Sequence, residues 1–308
     1  MISAIADYLA YADAVGYSPK SIDRFRSTLT AFGAAARKSG ASELQQISIE
    51  VVRAYHETIR QRGLAASTRR NILSTIRGFL RWAHDAGRLP QDISGRIELP
   101  KPEKRLPPKP LNREDVAQLF RLFPGGSSVS GRNRAMMEVL YACGLRRSEL
   151  LGLDVGDIDF SRSTVFVRSG KGNKDRVVPM YRRAARAVRS YLNSRGSVLP
   201  RSMPLFTAWP ADEDPGKRIS PASLAAIFRQ ANRNFHKHLY PHLFRHTLAV
   251  HLLLGGADLR HVQAILGHES PDTTGRYLGL AKEDLKRGYD RATDIILGRK
   301  RRKRRAGA

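Results

Sequence analysis

Between Tyr240 and Leu280 the chain reads YPHLFRHTLAVHLLLGGADLRHVQAILGHESPDTTGRYLGL, and this run holds His242, Arg245, His246, His268 and Tyr277. These residue types can act on a phosphate ester. A guanidinium forks onto two phosphate oxygens. An imidazole shares or moves a proton near neutral pH, and a phenolic oxygen can attack phosphorus. The same residues admit two other readings. His242 and His246, four apart, have the spacing of a metal-binding pair, but no third ligand and no H-E-x-x-H pattern accompanies them, so no metal is assigned. A packed helix with incidental histidines is the plainer reading, and it accounts for His246 and His251 as core or capping groups.

Breaking and rejoining a phosphodiester without metal has definite needs. An oxygen nucleophile must lie in line with the scissile bond, cationic donors must meet the charge on the non-bridging oxygens, and a proton donor must serve the departing sugar oxygen. Two arginines, two histidines, a lysine and a tyrosine supply all of these. They stand in five separate motifs: CGLRRSELLGL at 143–153, SGKGNKDRVVP at 169–179, PHLFRH at 241–246, LGHES at 266–270 and RYLGL at 276–280. Any one motif has a bland explanation as a helix-surface charge or a hairpin turn. Packing does not explain six such residues together.

Composition points the same way. The chain has 308 residues, 41% of them hydrophobic, enough for about two domains. Lys and Arg number 54 against 28 Asp and Glu, a formal charge of +26. Such an excess repels itself unless a polyanion neutralises it, and double-stranded DNA is the natural partner. No apolar run approaches the roughly 20 residues of a membrane span, and no amphipathic anchor or lipidation signal is present, so no membrane partner is expected. Asp7 and Asp13 stand where a signal peptide would need basic residues, which points to a cytoplasmic protein. The single cysteine, Cys143, excludes an intrachain disulfide and a cysteine-held metal, and its apolar neighbours place it in a core.

The elements that must position the motifs follow from periodicity. Residues 1–98 read as a bundle of four helices, with apolar faces at Ile5, Tyr8, Leu9 and Ala12; at Ile22, Phe25, Leu29 and Phe32; at Val51, Val52, Tyr55 and Ile59; and at Ile72, Leu73, Ile76, Phe79 and Leu80. Ser67 is the expected cap of the fourth helix. Arg69, Arg70 and Arg77 share one side of it and are read as phosphate contacts rather than a merely solvated face. Residues 99–111, LPKPEKRLPPKPL, hold five prolines with Lys101, Lys104, Arg105 and Lys109. This is a basic linker, consistent with following a DNA backbone or with a stiff spacer. The second domain, 112–297, opens with Asn112 as N-cap and Asp115 at N3. TVFVR and RVVPM alternate as strands around a SGKGNK turn, and helices are expected at 132–142, 181–195, 222–235, 241–254, 257–266 and 282–297. The fold class is therefore mainly α with a small β-hairpin. Residues 298–308 are a basic tail, with seven consecutive basic residues from Arg299.

In this order and approximate spacing, G-L-R-x-S-E-L, G-K-G-N-K, H-x-x-R-H, L-G-H and a tyrosine nine residues later resemble the tyrosine recombinases, the phage-integrase and Xer-type site-specific recombinases. The resemblance covers nearly the whole chain. It implies an N-terminal SAM-like core-binding domain, a catalytic domain, and strand exchange through a 3′-phosphotyrosine and a free 5′-hydroxyl, with neither ATP nor a cofactor. It implies Arg146 as the first catalytic arginine, while Arg147 stands where relatives often carry an apolar residue. Glu149 becomes an accessory acid that orients its neighbours. Lys171, between two glycines, becomes the general acid toward the 5′-oxygen, with Lys174 as its alternative. His242 and Arg245 fill the H-x-x-R box, His268 the L-G-H position and Tyr277 that of the nucleophile. Gly279 stands where many relatives have a histidine. Lys174, Arg176, Arg299, Lys300, Arg301 and Arg302 join the DNA-contacting set. The amphipathic segment through Leu285, Tyr289, Ala292, Ile295 and Ile296 resembles the helix that relatives donate to a neighbour in a tetramer on two duplexes; packing in cis is the alternative. A type IB topoisomerase uses similar residues, and a silent DNA-binding regulator could share the fold, but the presence of all six residues argues against silence.

The tail cannot build a core, and its expected contribution is sequence-independent affinity through counterion release. A chain ending at Leu297 is expected to bind DNA more weakly and with a flatter salt dependence while choosing the same site; gel shifts across a salt series check this.

Overall fold

The computed structural model describes residues 1–101, 108–126, 128–168, 175–196, 199–208 and 216–267. The expectations for Lys104, Arg105, Lys171, Lys174, His268, Tyr277, Arg299, Lys300, Arg301, Arg302 and the helix at 282–297 lie outside the described residues. The chain divides into two compact units, Met1–Leu106 and Pro107–Ala308, the division falling within the proline-rich stretch.

The first unit is the expected four-helix bundle: α1 Ile2–Ala14, α2 Pro19–Lys38, α3 Ile49–Gln61 and α4 Ala66–Asp85. Each helix buries the stripe its periodicity marks. Tyr8 on α1 stands edge-on to Phe79 of α4 at 5.5 Å and also meets Trp82 and Phe25, while Phe32 of α2 packs edge-on against Tyr55 of α3. Ser18 caps α2 through its hydroxyl, which accepts the Ser21 N–H. The expected cap at Ser67 is displaced. Helix α4 begins after Ala65, so Ser67 lies within its first turn, because the chain has already reversed at Gly63 with φ +71°. Arg77 is exposed on α4. Arg70 instead donates to the Pro100 carbonyl at 2.9 Å and fixes the chain leaving the bundle.

The second unit is built around α6, Ser128–Cys143, which follows α5, Arg113–Leu122. Ala135, Met136, Met137, Val139 and Leu140 of α6 have no exposed surface, as befits a helix surrounded by protein. Asn112 and Asp115 form the expected capping box on α5. Cys143 ends α6 in the core, where burial pushes its thiol up to about 12. A short helix, α7 (Arg147–Gly152), leads to a three-stranded antiparallel sheet in the order β1–β2–β3: Ile158–Asp159, Thr164–Val167 and Arg176–Pro179. Strand β1 and helix α7 were not expected, since a pair or a half-dozen residues shows no period. The hairpin pairs Val165 with Val178 and Val167 with Arg176. This puts Arg176 and the buried Val178 on one face and Val177, 61% exposed, on the other.

Helices α8 (Arg182–Asn193), α9 (Pro221–Asn232), α10 (Pro241–Leu254) and α11 (Leu259–Leu266) complete the unit. Helix α10 packs on α6, and α11 lies against α10 and β3. Among the described residues no helix is long and apolar enough to cross a membrane. One side of α10 holds the start of the second unit. Thr247 Oγ1 accepts the Leu111 N–H at 3.1 Å, and the imidazoles of His246 and His251 bond the backbones of Pro108 and Leu111. His251 also meets the Tyr141 hydroxyl at 2.8 Å. The core reading of His246 and His251 thus acquires a purpose: they seat residues 108–111 on α10. Thr247→Val keeps the shape of this fully buried side chain but strands the Leu111 N–H. It is expected to cost about 1–3 kcal/mol in a denaturant melt, the usual penalty for an unmet buried donor.

Candidate active site

The described site residues come from three places: the turn into α7, the first turns of α10, and the end of α11. Gly144 makes their approach possible. Its φ of +58° turns the chain sharply out of α6, and a Cβ there would lie 2.7 Å from Leu266 Cδ2 and 3.0 Å from Leu248 Cδ2. Only glycine allows both the left-handed backbone and the close contact. Arg146 follows two residues later as the N-cap of α7.

Arg245 sits one turn into α10 with no exposed surface. It donates from Nη1 to the Gly144 carbonyl at 2.9 Å and from Nη2 to the Leu266 carbonyl. Arg146 donates from Nη2 to the Gly267 carbonyl at 2.9 Å. The two arginines therefore take successive carbonyls at the end of α11, where Gly267 turns left-handed with φ +63°. The next residue in the chain is His268.

His242 lies at the first turn of α10 with its surface open to solvent. The dense packing beneath the ring, joined by the positive charges of Arg245 and Arg146, nevertheless holds its pKa below the ordinary histidine value. The imidazole is neutral at physiological pH, so it can both accept and donate. His246, one turn on, is buried, so the i, i+4 histidine pair occupies two different surroundings.

Glu149, at the third position of α7, is the anion among these cations, with its side chain 4% exposed. Oε2 accepts the Arg146 backbone N–H at 2.7 Å, and Oε1 accepts Arg146 Nη1 at 2.7 Å. Arg176 of β3 bridges both oxygens, from Nη1 to Oε1 at 3.0 Å and from Nη2 to Oε2 at 2.8 Å. Burial alone would raise this carboxyl, but the bonds from Arg176 and Arg146 outweigh it and bring it down to about 2. Glu149 is an anion at any working pH.

The sequence-derived residues thus divide. Arg146, Glu149, His242 and Arg245 are brought together. Lys101, Arg77 and Lys109 are exposed, as a docking contact requires. Arg176, expected at DNA, is 11% exposed and points its Nε at the Ile265 carbonyl and its terminal nitrogens at Glu149. The alternation R-V-V, with Val178 inward, already placed Arg176 on the inner face of its strand. Gly144 was also within reach of the sequence, as a glycine just past a helix end and the first residue of G-L-R. Among the described residues no group of three His, Cys, Asp or Glu side chains is arranged to hold a metal.

Gly144→Ala is expected to destabilise the second unit by about 1–3 kcal/mol through overpacking, with roughly 1–2 more from the left-handed backbone. It should also reduce activity per folded molecule, because Leu266 carries the carbonyl that Arg245 holds. A melt and a cleavage assay on the same preparation check both.

The sequence profile of the phage integrase family matches residues 109–284, and that of the phage integrase N-terminal SAM-like domain matches residues 5–87. The tyrosine recombinase XerC of Pseudomonas aeruginosa is 33% identical over 276 residues, 89% of each chain. Two solved structures share the fold. The Tn1549 transposon integrase, in complex with transposon right end DNA, superposes with a TM-score of 0.70 at 17% identity, covering 92% of this chain and 98% of that one. The XerH site-specific recombinase, bound to palindromic difH substrate, gives 0.68 at 22%, covering 90% and 80%.

Proposed function

Because the chain belongs to the phage integrase family of tyrosine recombinases, enzymes that cleave and rejoin DNA at specific sites, we propose that Tyr277 is its nucleophile and that Arg146, Lys171, His242, Arg245 and His268 serve the same phosphate. The observation that carries this reading is the meeting of Arg146 and Arg245 at the end of α11, immediately before His268, with His242 close enough to feel both charges.

The Tyr277 Oη gives up its phenolic proton to water and attacks the scissile phosphorus, forming a 3′-phosphotyrosine as the bond to the 5′-oxygen breaks. Lys171 gives that oxygen its proton. Arg146 is one-quarter exposed and meets the non-bridging oxygens directly. Arg245, wholly buried, contributes positive potential from beneath, where water does not screen it. His242 donates a hydrogen bond to the phosphate. A 5′-hydroxyl of the partner duplex then attacks the phosphotyrosine, restoring the bond and freeing Tyr277, so the bond energy is conserved. A preorganised donor of this kind is worth about 10²–10³ in rate.

Double-stranded DNA is the partner in this reading, engaged by Arg77, Lys101, Lys109 and the basic residues at 104–105, 174 and 299–302. The assembly is a tetramer on two duplexes in which the 282–297 helix is exchanged between neighbours. The high net charge and the relatives solved with DNA support the partner.

The test uses a duplex bearing the site recovered by selecting DNA fragments that the wild-type protein binds, nicked beside the cleavage point so that the covalent complex is trapped. Tyr277→Phe is expected to bind this duplex normally and to form no adduct on a denaturing gel. An adduct in that variant moves the nucleophile elsewhere, to Tyr289 or Tyr240. Lys171→Ala is expected to cleave about 10²–10⁴-fold more slowly and to recover on a 5′-bridging sulfur substrate, whose leaving group needs no proton. On a supercoiled plasmid with two sites, recombinant circles are the expected product; relaxed circles alone would indicate a topoisomerase, and a gel shift alone a silent binder.

A further inference from the structure

We infer that Arg176 is a positioning residue for strand cleavage, not a DNA contact: it bridges both oxygens of Glu149 and, through that carboxylate, sets the guanidinium of Arg146 toward the scissile phosphate. The inference rests on the proposed role of Arg146.

Every donor group of Arg176 faces inward. Nη1 and Nη2 reach Oε1 and Oε2 of Glu149 at 3.0 and 2.8 Å, and Nε reaches the Ile265 carbonyl at 3.0 Å. This is the planar fork that arginine presents and lysine does not. The chain leaves room for it. Gly267 has no Cβ, and one placed there would lie 3.2 Å from Arg176 Cδ and Nη1. Glu149 in turn grips Arg146 twice, by its backbone N–H and by Nη1 at 2.7 Å each. Arg146 is left with its other terminal nitrogen on the Gly267 carbonyl. Arg176 and Arg146 thus hold the end of α11 at Ile265 and Gly267 while sharing one carboxylate.

The arrangement is directional. Arg146 keeps a quarter of its side-chain surface, whereas Arg176 keeps 11% and Glu149 4%. The solvent-facing guanidinium is the one that can meet a phosphate, and the buried one fixes the anion beneath it. Without Arg176 the carboxylate keeps Arg146 as its one remaining ion-pair partner here and competes with the DNA phosphate for the guanidinium. With Arg176 in place, Glu149 is already neutralised and acts as a hinge pin. The strand position explains why this cation sits inside: Arg176 pairs with Val167 and shares the inner face with Val178.

The experiment is a double-mutant cycle on the nicked duplex described above, read as cleavage rate per bound complex, with DNA affinity measured across a salt series. Arg176→Gln is expected to lose about 10²-fold in rate, the scale of a misplaced reacting group, with unchanged affinity and unchanged salt slope. Glu149→Gln is expected to lose a similar amount, and the double variant no more than either alone, since both act through one geometry. Additive losses would overturn the inference, making Arg176 a structural tether through Ile265. A salt slope flatter by about 1 would make it a phosphate contact and overturn it equally. Should Arg176→Gln fold poorly in a thermal melt, Arg176→Lys keeps the charge without the fork and carries the same cycle. A smaller but still non-additive loss supports the inference, and a wild-type rate overturns it. Arg146→Ala separates the two levels: if it cleaves normally, the assignment of Arg146 fails, whereas if it is inactive and the Arg176 variants are not, only the present inference fails.

Discussion

A buried carboxylate between two guanidiniums is the interaction on which the site depends. Two guanidiniums held this close repel one another, and the fold must supply what keeps them together. Glu149 does so with a side chain almost wholly withdrawn from water, where each ion pair is electrostatically strong and also costly to leave incomplete. Its bonds join three elements that are far apart in sequence: the turn into α7, the strand β3 and, through Arg146 and Arg176, the carbonyls at Gly267 and Ile265. The low pKa follows from this geometry rather than from any property of the residue, and it makes the clasp indifferent to pH in the range where DNA is duplex.

A second dependence runs along α10. One side presents His242 and Arg245 to the site, and another holds residues 108–111 through His246, Thr247 and His251. The helix is therefore fixed from behind by hydrogen bonds that admit few alternatives. Arg245 also closes the carbonyl ends of Gly144 and Leu266, so it supports the fold as well as supplying charge. Substituting it would disturb the fold as well as remove a charge.

A second buried carboxylate network shows the same economy of means. Glu138 of α6 has no exposed surface and receives Arg134, Arg183 and the Tyr181 hydroxyl. Arg134 and Arg183 both lie against the ring of Phe120, at 4.7 and 4.3 Å. This ties α5, α6 and α8 together. A strongly basic chain uses its few acids where they bind several arginines at once.

Much of this was legible in the amino-acid order alone. The four apolar stripes of the first unit are local in period, so α1 to α4 could be read before any contact was known, apart from the start of α4. The G-L-R and H-x-x-R motifs marked Arg146, His242 and Arg245, residues that the fold brings near one another although Arg146 is far from the other two in the chain. Short elements such as α7 and β1 were not legible, for they complete too few turns or alternations to show a period. The partner of each charge was also hidden. The R-V-V alternation turns Arg176 inward but does not name its partner; Arg77 is exposed, and Arg176 bridges Glu149. That distinction is set by which backbones meet, through a glycine at 144 that admits Leu266 and Leu248 at contact distance and a strand register that turns Arg176 inward. Residue type and local period are properties of the chain; the carboxylate an arginine finds 27 residues away is a property of packing, and only the tertiary structure decides it.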